Sequence, residues 1–291
     1  MLRLHDHNSK YIMLFDLLLL LPCVLACHKI SRNPTDTPTA TPKLTGVVPP
    51  TPLPEAIRTP QPANSPTPNV VYHGISFSYP QILASDVKAE VIPASKNLEE
   101  NLWLPYPEHV QFTFSDYVLP NASHKPQIII YPVSDFKATN EYAEGVIANL
   151  QKFLTEKPSV VSGQIPFFPF FNAAQLFKVH ISYLDFRNGA GVRFLTQYGQ
   201  SATPIDNKGL FYTFQGLTHD GSAYVAAILP VSHPMLPADG ADTLGDDYEA
   251  FANNFADYLR DVEQNLTAQA TSSFTPSLSS LDRMIQSLEV K

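Results

Sequence analysis

The chain has 291 residues, 44% of them hydrophobic, with 19 Lys and Arg against 27 Asp and Glu and a net charge of −8. From Val70 onward there are 13 basic and 23 acidic residues and no cluster of Lys or Arg, which excludes a basic surface for nucleic acid or for anionic lipid. The only cysteines are Cys23 and Cys27, so nothing beyond them can hold a disulfide, a thiol nucleophile or a thiolate metal ligand.

Arg3 and Lys10 precede an apolar run, Tyr11–Phe15, Leu17–Leu21 and Pro22–Ala26. A run this short, after positive charge and before small residues, reads as a signal peptide over 1–26 rather than a permanent span. Asp16 interrupts it, and a carboxylate at mid-membrane costs about 2.5–3.5 kcal/mol, so the effective apolar part contracts to Leu17–Ala26. Val24-Leu25-Ala26-Cys27 resembles the bacterial lipobox. The resemblance implies cleavage before Cys27 and acylation of its thiol, often with a further acyl group on the new amino terminus. Two or three acyl chains hold a protein stably on a membrane where one does so only marginally. The expected location is therefore the extracytoplasmic face of the cell membrane, with the membrane as a partner through the lipid on Cys27. An ordinary cleaved signal peptide and an uncleaved anchor helix are the alternatives that these residues leave open.

Residues 27–69 form the next unit. Asn33–Asn69 holds 11 of the 27 prolines and 8 threonines, and Asp36, Lys43, Glu55 and Arg58 are its only charges. Proline fixes φ and removes a donor, so neither helix nor sheet is expected. A disordered, semi-stiff polyproline-like tether is, reaching roughly 100 Å when fully extended at ~3.1 Å per residue.

Residues 70–291 read as a single α+β domain, and about 220 residues rich in Phe and Tyr are enough to bury a core. Val70–Pro80 alternates Ile75, Phe77 and Tyr79 with Gly74, Ser76 and Ser78, the pattern of one half-buried strand. Gly74-Ile75-Ser76-Phe77-Ser78-Tyr79-Pro80 resembles the opening strand of PsbP/Mog1-like domains, and Ser280–Leu288 resembles their closing helix, although the usual Trp soon after the Tyr-Pro pair is missing. That resemblance implies a fold and carries no activity with it. Asp86–Pro93, His109–Tyr117 and Gln127–Val133 are further strands. Asn140–Lys157 is a helix capped by Thr139 and stopped by Pro158, with Tyr142, Val146, Ile147, Leu150, Phe153 and Leu154 on its apolar face. Ile165–Phe171 sets four Phe around two Pro and is either a loop plugging the core or an exposed apolar lip. Asn188-Gly189 and Asp220-Gly221 are hairpin signals within Ala174–Val231. A two-residue turn at Asn188-Gly189 would place Tyr183 opposite Phe194 and Val179 opposite Tyr198. The expected result is a four-stranded antiparallel meander with one wetter side. Asp247 caps a helix over Tyr248–Leu266, and Ser277–Ser287 forms a last helix presenting Leu278, Leu281, Met284 and Ile285. The expected architecture is an antiparallel meander with two to three helices packed mainly on one face.

The sequence carries few residues in a chemical pattern. No G-x-S-x-G, H-E-x-x-H, Walker loop or G-x-G-x-x-G occurs. Ser85-Asp86-Val87-Lys88 matches S-x-x-K without a K-T-G partner. Asp239, Asp242, Asp246, Asp247 and Glu249 lack EF-hand spacing, and read as a solvated loop with helix-capping carboxylates before they read as a calcium site. No two histidines stand two or four residues apart after Cys27, so no cofactor or metal is expected. Arg193, Tyr198, Gln200, Tyr212 and Gln215 bring aromatics and amides to one end of the meander, which suits a small polar ligand or a peptide surface. Ordinary core tyrosines are the competing account of the same residues. The function expected is a lipid-anchored, non-catalytic binding domain for a protein or small-molecule partner, with an envelope hydrolase lacking a motif as the alternative. A deep pocket of perturbed polar groups would mark the enzyme, and a shallow aromatic patch near Phe167–Phe171 the binding module.

Overall fold

A computed structural model of the chain describes residues 67–95, 105–244 and 247–291. The signal peptide, Cys27, the tether up to residue 66 and Asp246 lie outside the described residues. The stretch read as one strand over Val70–Pro80 is a hairpin instead. Strand β1 (Val70–Tyr72) pairs with β2 (Ile75–Phe77) across a two-residue turn. Both turn residues, His73 and Gly74, take positive φ, 48° and 78°, as the turn that matches strand twist requires. The inward set changes phase across the turn, from Val70 and Tyr72 to Ile75 and Phe77, but the apolar Val71, exposed in the structure, continues the odd-numbered alternation and hides the change.

Strands β3 (Asp86–Ile92), β4 (His109–Ser115) and β5 (Gln127–Pro132) follow as a meander, within two residues of the expected bounds. The expected single helix over Asn140–Lys157 is two, α1 (Val133–Thr139) and α2 (Ala143–Glu156). Thr139 ends the first rather than capping the second. The buried Asn140 makes the corner: its side chain accepts from Tyr142 N at 3.0 Å and donates to Pro105 O at 3.1 Å. Lys157, at φ 43°, closes α2 in the left-handed conformation just before Pro158. Ala143, Ile147 and Leu150 are its buried face, while Tyr142 stands 54% exposed.

After the short strand β6 (Ala174–Gln175) come β7 (Val179–Phe186), β8 (Gly189–Thr196), the short β9 (Tyr198–Gly199), β10 (Phe211–Thr218) and β11 (Ala223–Pro230). The four long strands are the expected meander, and β11 closes it against β5. One seven-stranded, wholly antiparallel sheet results, in the order β3-β4-β5-β11-β10-β8-β7. Its first hairpin turns one step earlier than expected. Arg187 and Asn188 form the turn and Gly189 already pairs with Phe186, so Tyr183 faces Val192, not Phe194. A bulge between Val179 and Ser182, with His180 at φ 52°, then sets Val179 opposite Leu195. The second turn lies at Asp220-Gly221 as expected, with Gly221 at φ 71° and the Asp220 carboxylate accepting from Ser222 N at 3.0 Å.

No wetter side exists in the meander. Every residue of β10 and β11 is buried, because both faces of the sheet are covered. One face carries β1, β2, α4 (Phe255–Thr267), α5 (Leu278–Gln286) and the closing strand β12 (Glu289–Val290), which pairs with β2. Its core runs through Phe77, Phe112, Phe114, Tyr212, Phe214, Leu281 and Ile285. The other face carries α1, α2 and Ile165–Phe171 against Tyr131, Phe194, Phe211 and Tyr224. The α+β class with an antiparallel sheet therefore holds. Among the described residues the helices, five with α3 (Tyr248–Asn253), are shared between the faces rather than massed on one. The expected helix over Tyr248–Leu266 breaks at Asn254, whose side-chain amide donates to Ala250 O at 2.8 Å and competes with the helical ladder. Its stripe reaches the core through Leu259, Val262 and Leu266, not through Tyr248. Helix α5 buries the four residues expected of it.

Four histidines, His109, His124, His180 and His233, titrate below their ordinary value, and burial is the largest cause in each. At a pH where the unfolded chain has begun to charge them, near 6.5, the folded chain keeps them neutral. The unfolded state then binds more protons, so stability declines as pH falls from about 6.5 toward the folded values. Urea melts should show a lower midpoint at about pH 5.5 than at about pH 7.5; equal midpoints would contradict the burial of these rings.

Candidate functional site

Ile165–Phe171 plugs the core. Phe168 is fully buried and Phe167 nearly so, whereas Phe170 and Phe171 are half-buried. Two prolines in seven residues deny the segment a ladder of its own, so its backbone polar groups need side-chain partners. Gln215, fully buried in β10, provides them. Its Oε1 accepts from Phe168 N at 2.9 Å, and its Nε2 donates to Phe168 O at 3.0 Å and to Thr213 Oγ1 at 2.8 Å. The Tyr224 hydroxyl donates to the same Oε1. Tyr106 Oη accepts from Phe170 N at 2.8 Å, and burial, as the largest cause, pushes this phenol up to about 12. Gln175 completes the frame: Oε1 accepts from Ile165 N and Nε2 donates to Tyr198 Oη, both at 3.2 Å.

Held this way, the segment walls a cavity of about 270 Å³ against α2 and β9. Phe167 and Phe171 meet the Tyr198 ring at centroid distances of 4.9 and 5.0 Å. Asn149 from α2 and Gln164 stand exposed at its mouth. Among the described residues, no carboxylate, amine or imidazole lines it. Burial raises the Tyr198 phenol further, so that it is a neutral hydroxyl at any physiological pH.

The five residues singled out in the sequence do not form one site. Tyr198 lines this cavity. Gln215 holds its wall, and Gln200 braces its rim by donating from Nε2 to Asn172 O at 2.8 Å. Arg193 and Tyr212 project from the opposite face of the sheet, where both bind Asp282 of α5. Gln164 and Gln175 have no signal in the sequence beyond being amides that flank the Phe run, and Asn149, in the preceding helix, has none. The run itself was the pointer, and it proves to be both plug and cavity wall.

Other features carry less chemistry. A cleft of about 320 Å³ brings His73, Glu108, His109 and Ser222 to one end of the sheet. His109 Nδ1 donates to Pro107 O at 2.8 Å, and burial keeps the ring neutral. Ser222 Oγ donates instead to Asp220 at 2.8 Å, so no base–nucleophile pair forms there among the described residues. A groove of about 470 Å³ beside α3 and α4 is walled by Ile205, Met235, Phe251 and Val262, and the Tyr258 hydroxyl within it is bound to Ile205 N. Ser85 Oγ donates to Asp116 and Lys88 pairs with Glu90, so the S-x-x-K pair is taken up separately. Asp239 caps a 3₁₀ turn and pairs with Lys208 at 2.9 Å, and Asp247 caps α3 through Ala250 N, which matches the capping account of the acidic loop. Among the described residues no group of three or more His, Cys, Asp or Glu is placed to hold a metal ion. No family model, curated protein or solved structure matches the chain.

Proposed function

We propose that this chain is a membrane-anchored lipoprotein, held by lipid on Cys27 at the extracytoplasmic face, whose domain is a non-catalytic binding module. The observation that carries the binding role is the uncharged aromatic cavity at Phe167, Phe171 and Tyr198, in the region where a binding module should show its aromatic patch. Its wall is fixed by buried amides, so the surface is preformed and little ordering is needed on binding. The lipobox-like Val24–Cys27 and the Pro/Thr-rich stretch after it support the anchor. The PsbP/Mog1-like assignment belongs to the same proposal. Its support is that the two quoted stretches form β2 and α5, joined where Ser287 Oγ accepts from Ser78 N at 2.8 Å.

An envelope hydrolase is the second reading, favoured only by the neutral His109 in its cleft. The missing base–nucleophile pair leaves it behind the binding module. The anchor is tested directly: Cys27→Ala should move the protein out of the membrane fraction, and retention there by the variant would end the lipoprotein reading.

A further inference from the structure

We propose that the cavity under the Phe-rich segment takes one neutral sugar ring of an oligosaccharide. This rests on the binding-module reading and names its ligand. Charge decides the first step. A phosphate, carboxylate or ammonium group would lose its hydration with no opposite charge in the lining to replace it. Polarity decides the second. Tyr198 Oη accepts from Gln175, but its own proton has no acceptor among the described residues, and neither the Asn149 nor the Gln164 side chain forms a hydrogen bond among them. A wholly apolar ligand would bury that hydroxyl unmatched, at a cost of about 1–3 kcal/mol.

The cavity thus has aromatic walls, one of them a tyrosine whose hydroxyl can still donate, and two amides at the mouth. A pyranose ring has the matching division. One face is C–H and packs on aromatic carbon, and its edge is a ring of hydroxyls that both donate and accept. An extended peptide has different needs, a row of backbone donors and acceptors. Here the nearby backbone N–H groups of Ile165, Phe168 and Phe170 are already bound to Gln175, Gln215 and Tyr106. The geometry therefore favours the sugar.

The test is calorimetric titration of the full chain, in zwitterionic detergent, with neutral trisaccharides of α- and β-linked glucose, of mannose and of N-acetylglucosamine, and with an uncharged aromatic tripeptide amide. At least one trisaccharide should bind. Tyr198→Phe, which keeps the ring, should weaken it about tenfold. Asn149→Ala and Gln164→Ala, at exposed positions, should each weaken it severalfold with unchanged melting temperature. Sugar binding that ignores all three variants overturns the site. If only the peptide binds, and the same variants weaken it, the binding module stands and the sugar assignment falls. If neither ligand binds the folded chain, both fall.

Discussion

Arg193→Ala should lower the stability of the domain by about 3–5 kcal/mol. Arg193 and Asp282 are 6% and 17% exposed at their side chains and form a two-pronged pair, Nε to Oδ1 at 3.0 Å and Nη2 to Oδ2 at 2.8 Å. Arg193 Nη1 also donates to His180 O in the bulge, and the Tyr212 hydroxyl donates to Asp282 Oδ1 at 3.1 Å. Truncating the arginine leaves a carboxylate enclosed by sheet and helix without its counter-charge, and that orphaned charge is the main cost. Removing both charges is a different matter. Arg193→Met combined with Asp282→Leu should lose less than either single truncation, because no unpaired ion remains. Guanidinium unfolding of Arg193→Ala, of Asp282→Ala and of the double variant decides this. A single truncation costing under about 1 kcal/mol would show that the pair is solvated and does not secure α5.

The second large effect belongs to Gln215. Gln215→Ala removes the partners of Phe168 N–H, Phe168 C=O and the Tyr224 hydroxyl at once. A buried polar group without a partner costs about 1–3 kcal/mol, so with some relaxation the expected loss is about 3–5 kcal/mol. The loss should be local in character. Amide exchange at Phe168 should accelerate far more than exchange at Val225 or Ile228 in the sheet, and any ligand of the aromatic cavity should bind more weakly. If the Phe168 amide stays as protected as in the wild type, the clamp is not what holds the plug.

Much of this fold is legible in the sequence where pattern and local chemistry agree. Strands β3, β4 and β5, the Asp220-Gly221 turn and the four buried residues of α5 all follow from periodicity and turn residues. The misreadings have specific causes. A register error of two residues at Arg187-Asn188 keeps every side chain on its proper face, so nothing in the pattern reveals it. The bulge at His180 adds one residue and moves Val179 to the opposite face from Ile181, which only tertiary packing decides. The alternation that sets His180, Ser182, Arg193 and Gln197 on one face suggests a wetter side. Arg193 and Gln197 are instead buried, Arg193 paired with Asp282 of α5 and Gln197 bonded to Pro204 O and Asp206 N, while on the other face the buried Gln215 is clamped to Phe168. The candidate site was half legible. Aromatic content located it, but the amides that frame it meet only after folding.

The closing segment has a consequence in time. Leu278, Leu281, Met284, Ile285 and Leu288 are all buried on one face of the sheet, and β12 adds the third strand beside β2. A chain made from its amino terminus at about 5–20 residues per second has only β1, β2 and α4 to cover that face until these residues emerge. The earliest hairpin therefore waits for its third strand, β12, and this face of the domain closes late rather than piece by piece as the chain lengthens.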